Sequence, residues 1–174
     1  MNWPLTGQSE PHNAAMMSAA LLLAVGFLCM ASMIDVRQRR IPNEISLAVA
    51  LLAIPFCYGA AGGPGLLSLL RHLSVPLLLA VPMSILFALR ILGGGDVKLI
   101  LASSLWVPPE KIATLAMIVI LLGGLVAVLM QLLDMIFQAV KPESVPYGLP
   151  IAAGVLVLQV PTLRQIATIL GTGW

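Results

Sequence analysis

The sequence predicts an all-α, polytopic integral membrane protein with about six transmembrane helices and its N-terminus outside. Three observations predict it. Of 174 residues, 60% are apolar and only 9% are Asp, Glu, Lys or Arg, whereas a soluble domain carries about 25% charged residues. The mean hydropathy is +1.04. The apolar residues fall into six runs separated by Gly, Pro and charge, and ~20 residues suffice for one crossing. Nine basic and seven acidic residues cannot cover the surface of a soluble fold. The composition excludes a soluble globular domain, a disordered chain and a nucleic-acid-binding module. The net charge of +2 is too small to imply a polyanionic partner.

The first run, from about Asn13 to Ile34, follows a tail without Lys or Arg. A signal peptide places its positive charge before the apolar run. Here Arg37, Arg39 and Arg40 follow it, which holds the C-terminal end of a genuine span in the cytoplasm. The second run, about Ile45 to Tyr58, ends in the turn-forming stretch GAAGGPG, residues 59–65. The third, about Leu73 to Leu89, follows Arg71-His72 and contains Pro76 and Pro82, which membrane helices tolerate where neighbours satisfy the freed carbonyls. Gly93-Gly94-Gly95-Asp96 then breaks the chain. The fourth run, Val97 to Val107, is short and stops at Pro108-Pro109. The fifth, Ile112 to Leu133, is long and uninterrupted by charge. A polar segment from Asp134 to Ser144 leads to the sixth, which begins near Val145-Pro146-Tyr147-Gly148 and reaches about Gly171, with a break expected at Pro161.

With the N-terminus outside, Arg37, Arg39, Arg40, Arg90, Lys98 and Lys141 fall inside, and Arg71, Lys111 and Arg164 outside. This is the positive-inside pattern. Residues 1–174 read as one membrane-embedded domain, with residues 1–12 as an extramembrane tail. Cys29 and Cys57 read as small core residues. Neither has a Cys or His at metal-ligand spacing, so no metal is expected.

The acidic residues carry the chemistry. Glu10, Glu110, Asp134 and Glu143 lie in or beside polar connections and read as solvated loop charges. Glu44 follows Asn43 at a helix start, where Asn43 suits a cap and Glu44 the helix dipole. Asp35 and Asp96 differ. Asp35 ends the first apolar stretch, Asp96 sits between two apolar runs after three glycines, and an acid at membrane depth is costly. The topology puts both on the same boundary, at the ends of two different spans. Two carboxyls brought together there share a proton, so one is ionised and the other protonated. Such a pair activates a water and protonates a leaving amine. Gly93, Gly94 and Gly95 permit a sharp break and the close approach of another extended chain. Zinc-protease chemistry lacks an H-E-x-x-H, because His12 and His72 are isolated. Serine-protease chemistry lacks a G-x-S-G, and Ser103 and Ser104 read as helix-packing residues.

Three motifs resemble one family. Asp35-Val-Arg-Gln-Arg-Arg-Ile41-Pro42-Asn43 resembles the first aspartate motif of the type IV prepilin peptidases. Gly93-Gly94-Gly95-Asp96-Val97-Lys98-Leu99 resembles their G-x-G-D-x-K-L motif. Val145-Pro146-Tyr147-Gly148-Leu149-Pro150 resembles the P-Y-G start of their last span. The resemblance runs from about residue 16 to 172. It implies a bacterial inner-membrane aspartic endopeptidase that cuts the short, charged leader from prepilins or pseudopilins at the cytoplasmic side. Asp35 and Asp96 would be the catalytic pair. Gly93, Gly94, Gly95 and Lys98 would contact or shape the substrate. No cofactor is implied. The longer members add a cytoplasmic segment with paired Cys-x-x-Cys and also N-methylate. This chain lacks that segment and resembles the short, peptidase-only form of Flp pilus systems.

The rival class is a small proton- or cation-coupled transporter, or a pilus assembly factor without catalysis. Depth discriminates them: transport sites lie near the midplane, and these acids sit at span ends beside arginines. The sequence leaves the oligomeric state open.

Overall fold

The computed structural model describes residues 11–60, 66–137 and 146–169. The expectations for Glu10, Lys141, Glu143, the turn at 61–65 and the chain end near Gly171 lie outside the described residues. So do the side chains of His12, Arg71 and Asp134. The elements are α1 (Pro11–Gln38), α2 (Asn43–Ala60), α3 (Leu66–Ala88), α4 (Gly94–Ser104), a 3-10 turn (Pro109–Lys111), α5 (Ile112–Phe137) and α6 (Gly148–Ile169). No strand occurs among the described residues. Two helical stretches, Ala15–Gln38 and Pro109–Leu133, are long and apolar enough to cross a membrane, and Asn43–Tyr58 and His72–Ala88 are shorter apolar helices.

The buried face of α1 shows how the sequence builds the bundle. Met17, Leu21, Ala24, Leu28 and Ala31 are all buried, at the alternating three- and four-residue spacing of one helix stripe. The next position on that stripe is Asp35, also buried. Leu22, Leu23 and Met33 face outward. The same outward apolar display recurs on α3, where Leu77 is 72% and Leu78 77% exposed. A soluble monomer rarely presents such a surface, and lipid is its natural solvent.

Helix ends follow local chemistry. Arg39 takes a left-handed φ of 55°, and its N–H closes on Asp35 O at 2.9 Å, an αL cap. Arg90 does the same at φ 59°, while the Ile91 N–H reaches back to Leu86 O at 3.0 Å. Both caps use arginine where glycine is the usual residue.

The structure moves several boundaries. The third helix begins at Leu66, so Arg71-His72 lies inside it. His72 is only 1% exposed, so it belongs to the packed interior and not to a solvated helix end. The fourth begins at Gly94, which puts Asp96 in its first turn. The break expected at Pro161 is absent: α6 continues through it. One proline removes a single N–H, whereas ending the helix there would free several carbonyls in an apolar environment. Cys57 belongs to the core, but Cys29 is exposed on α1 and is not a core residue. Its position, one residue past the buried Leu28, turns it off the stripe.

α1 packs against α2 and α6, and α4 is wedged among α2, α3 and α6. α5 leans on α6 and the 3-10 turn. Trp106, just past α4, locks the centre. It is fully buried, its ring lies 4.9 Å from that of Phe56, and its Nε1 donates to Val49 O at 3.0 Å. Gln159 Nε2 of α6 donates to Trp106 O. This one residue thus ties α2 to the end of α4 through its indole, whose N–H is satisfied, and α6 through its backbone carbonyl. Trp106→Ala is expected to cost about 3–5 kcal/mol, as aromatic truncation in a packed core does, seen as a lowered thermal midpoint in detergent.

Candidate active site

Asp35 and Asp96 line one cleft. The stripe pattern of α1 turns Asp35 inward, where it is 5% exposed. Its Oδ2 accepts a hydrogen bond from the Gly148 N–H at 2.8 Å. Gly148 is the first residue of α6, so the carboxylate sits at a helix N-terminus, where unpaired N–H groups and the dipole favour negative charge. Ser32, one turn earlier on α1, holds the same joint from the other side: its Oγ lies 2.9 Å from Leu28 O and 3.0 Å from Gly148 O.

Gly148 has no room for a side chain. A Cβ there would stand 3.0 Å from Asp35 Oδ2 and 3.1 Å from Asp35 Cβ. The P-Y-G run is therefore the counterpart of Asp35, a pairing across 113 residues that the sequence alone left unassigned. Tyr147 is the second residue that sequence reasoning left without a role. It borders the acid-lined cleft, and its ring occupies the place where a Cβ on Gly123 would fall, at 2.9 Å.

Asp96 arrives on the glycine break. Gly93 is extended, at φ −71° and ψ 150°, and its N–H donates to Asp96 Oδ2 at 3.2 Å. Its carbonyl accepts the first helical bond, from the Val97 N–H, at 3.1 Å. Asp96 thereby caps its own helix from within the first turn. Gly95 lies against the I-P-N segment: a Cβ on it would meet Ile41 Cβ at 3.1 Å and the Ile41 backbone at 3.3 Å. Gly94 lies under Phe87, at 3.3 Å by the same measure. The close approach that the glycines permit is thus used, at Gly95, by the chain itself.

A cleft of about 1000 Å³ contains Asp35, Asp96 and Gly93 to Gly95 in its walls, together with Arg39, Arg40 and Arg90. Both carboxyls and the Arg39 side chain border this one space. Lys98 is not brought to this cleft. Its Nζ donates to Asn43 Oδ1 at 2.8 Å and ties α4 to the start of α2. Ser103 and Ser104 are fully buried in helix packing. Two carboxyls in one accessible cleft, each anchored through one oxygen to a backbone N–H, form an arrangement able to hold and pass a single proton.

The type IV leader peptidase family model matches residues 22–128 of the chain. The match contains both acids and the glycine break, and ends before Gly148. No curated protein and no solved structure matches.

The geometry at Gly148 yields a direct test. Gly148→Val should push α6 off Asp35 and lower peptide cleavage by about tenfold or more, since each ~1.4 kcal/mol of lost transition-state stabilisation is tenfold. Gly26→Ala, where a Cβ meets nothing within 4 Å, should leave the rate unchanged.

Proposed function

The chain belongs to the type IV leader peptidase family, and from that premise we propose that it is an aspartic endopeptidase that removes the short leader of prepilins or pseudopilins. The family makes it a membrane-associated peptidase with a prepilin substrate. The finer reading is our own. Residues 1–174 form one domain of six crossings in a bacterial inner membrane, N-terminus outside, with the acid-lined cleft at the cytoplasmic face. The observation that carries the chemistry is that Asp35 and Asp96, from different helices, line the same cleft.

In the proposed mechanism the peptide bond after the leader enters the cleft in extended form, because a helical bond is shielded by its own hydrogen bonds. Gly93 to Gly95 offer backbone without side chains along its path. One carboxylate takes a proton from the attacking water. The other, protonated, polarises the scissile carbonyl. Collapse of the tetrahedral intermediate breaks the C–N bond, and the proton taken from water passes to the leaving amine. The pair is then back to one proton. Lys98 serves as a positioning residue through Asn43 rather than by touching substrate. No metal or organic cofactor enters any step.

Co-expression with a candidate prepilin tests this. Wild-type protein should produce the mobility shift of leader removal. Asp35→Asn and Asp96→Asn should each abolish the shift while still inserting into the membrane. Full processing by either variant would sink the dyad, and the transporter or scaffold reading would gain if wild-type protein left every prepilin intact.

A further inference from the structure

The space between α3 and α5 is not needed for the chemistry above, yet it adjoins the cleft where that chemistry would occur. A cavity of about 380 Å³ opens there, within the ~300–1,000 Å³ range of ligand pockets. Its α5 wall includes Ile112, Ala116, Ile120 and Gly124. Ala127 and Gln131, further along the same helix, line the cleft of Asp35 and Asp96. Successive members of this set are three or four residues apart, so all six lie on one stripe. Opposite, Leu79, Met83 and Leu86 of α3 form a second stripe at the same spacing. Tyr147, Ile91 and Leu92 border both spaces. Cavity and cleft therefore adjoin at these three residues, and the α5 stripe runs along both as the wall of one trough.

The trough has the length of one crossing. From residue 112 to 131, at ~1.5 Å per residue, the α5 stripe rises ~29 Å, against ~30 Å for the hydrocarbon core of a bilayer. It is also left open by the fold. α5 packs on α6 and the 3-10 turn, and α3 chiefly on α4. Ile120 on the stripe is 69% exposed. The paired glycines of α5 make the contrast plain. A Cβ on Gly123 would strike Tyr147, whereas a Cβ on Gly124 meets nothing within 4 Å.

We propose that this trough is the docking site for the apolar helix that follows the leader in the substrate, laid between α3 and α5 with its N-terminal end at Asp35 and Asp96, a proposal that rests on the leader-peptidase reading. A helix placed in such a groove reads it through side chains at three- and four-residue spacing, the spacing of both walls. The change of character along the trough selects a polypeptide over a lipid chain. The occupant must be apolar for most of a crossing and then continue, as backbone, into a cleft lined by two carboxyls and three arginines. A leader-bearing membrane segment has that order.

The test compares two substrates: the full-length prepilin, and a short soluble peptide spanning the cleavage junction without the apolar helix. Gly124→Trp and Ala116→Trp fill the trough from α5. Each should lower the rate on the full-length prepilin by about tenfold or more relative to the rate on the peptide. Leu125→Trp, on an exposed face of the same helix, should leave both rates unchanged. In an Asp96→Asn background, a photo-crosslinker at Ile120 should capture the prepilin and one at Leu125 should not. An unchanged rate ratio in both trough variants would overturn the proposal, as would capture at Ile120 of lipid only or of a second copy of this chain. If wild-type protein cuts neither substrate, the leader-peptidase reading itself has failed, an outcome separate from these.

Discussion

The joint between Asp35 and the N-terminus of α6 is the constraint on which the rest of the structure depends. A carboxyl 5% exposed inside an apolar bundle is costly unless something replaces its hydration. The Gly148 N–H, at 2.8 Å, and the positive end of α6 supply that replacement. This solution dictates other features. It requires glycine at 148. It makes α6 the neighbour of α1, although α6 is last in the chain. It also places Tyr147 at the mouth of the cleft, where its ring packs over Gly123 of α5. One hydrogen bond thus fixes how α6 meets α1, and the Tyr147 ring beside it fixes how α5 meets α6.

The second acid is held differently, and the difference is useful. Asp96 takes its backbone partner from three residues earlier in its own chain, so the glycine break and the acid form a local unit. That unit is then fitted to the rest by van der Waals contact, Gly95 against Ile41 and Gly94 against Phe87. Asp35 is anchored across the bundle, Asp96 within a single turn. The two carboxyls therefore hang on separate backbone supports. Arg39 and Arg90 frame the same cleft in left-handed conformations. A side chain in that region costs roughly 1–2 kcal/mol, and strain of this kind persists where surrounding structure over-determines it.

How much of this was legible in the sequence depends on the range of each interaction. The helices were, because apolar runs and Gly or Pro breaks are local signals: each run has its helix among the described residues, with shifted ends. Seven carboxylates in an apolar chain can be weighed one at a time, and the two that this sets apart, Asp35 and Asp96, line one cleft; their catalytic role is our proposal. Pro161 was misread because a local breaker rule ignores what an apolar surrounding charges for a broken helix. Cys29 was misread because apolar neighbours in sequence do not say which face of a helix is buried. Gly148 was visible as a motif but had no partner until the fold brought Asp35 to it, and Lys98 was grouped with the acid beside it although helix rotation sends it to Asn43.

The short fourth helix explains how an acid and three glycines come to lie where they do. At ~1.5 Å per residue, the 11 residues of α4 rise only ~16 Å, about half a bilayer core. The segment after it is irregular, and irregular backbone in an apolar surrounding survives only when buried in protein with its polar groups satisfied. Trp106, Val107 and Pro108 are buried, Trp106 O accepts from Gln159, and Leu105 O has the Cys57 thiol at 3.9 Å. Backbone bonds from Leu105, Trp106 and Val107 back to Ala102, Ser103 and Ser104 close the remaining turn. The Trp106 lock is thus what permits α4 to be short. A full-length helix would fill the region with regular backbone. A short one, secured at its far end, lets the glycine break and Asp96 stand at its near end, facing the acid that α6 holds in place.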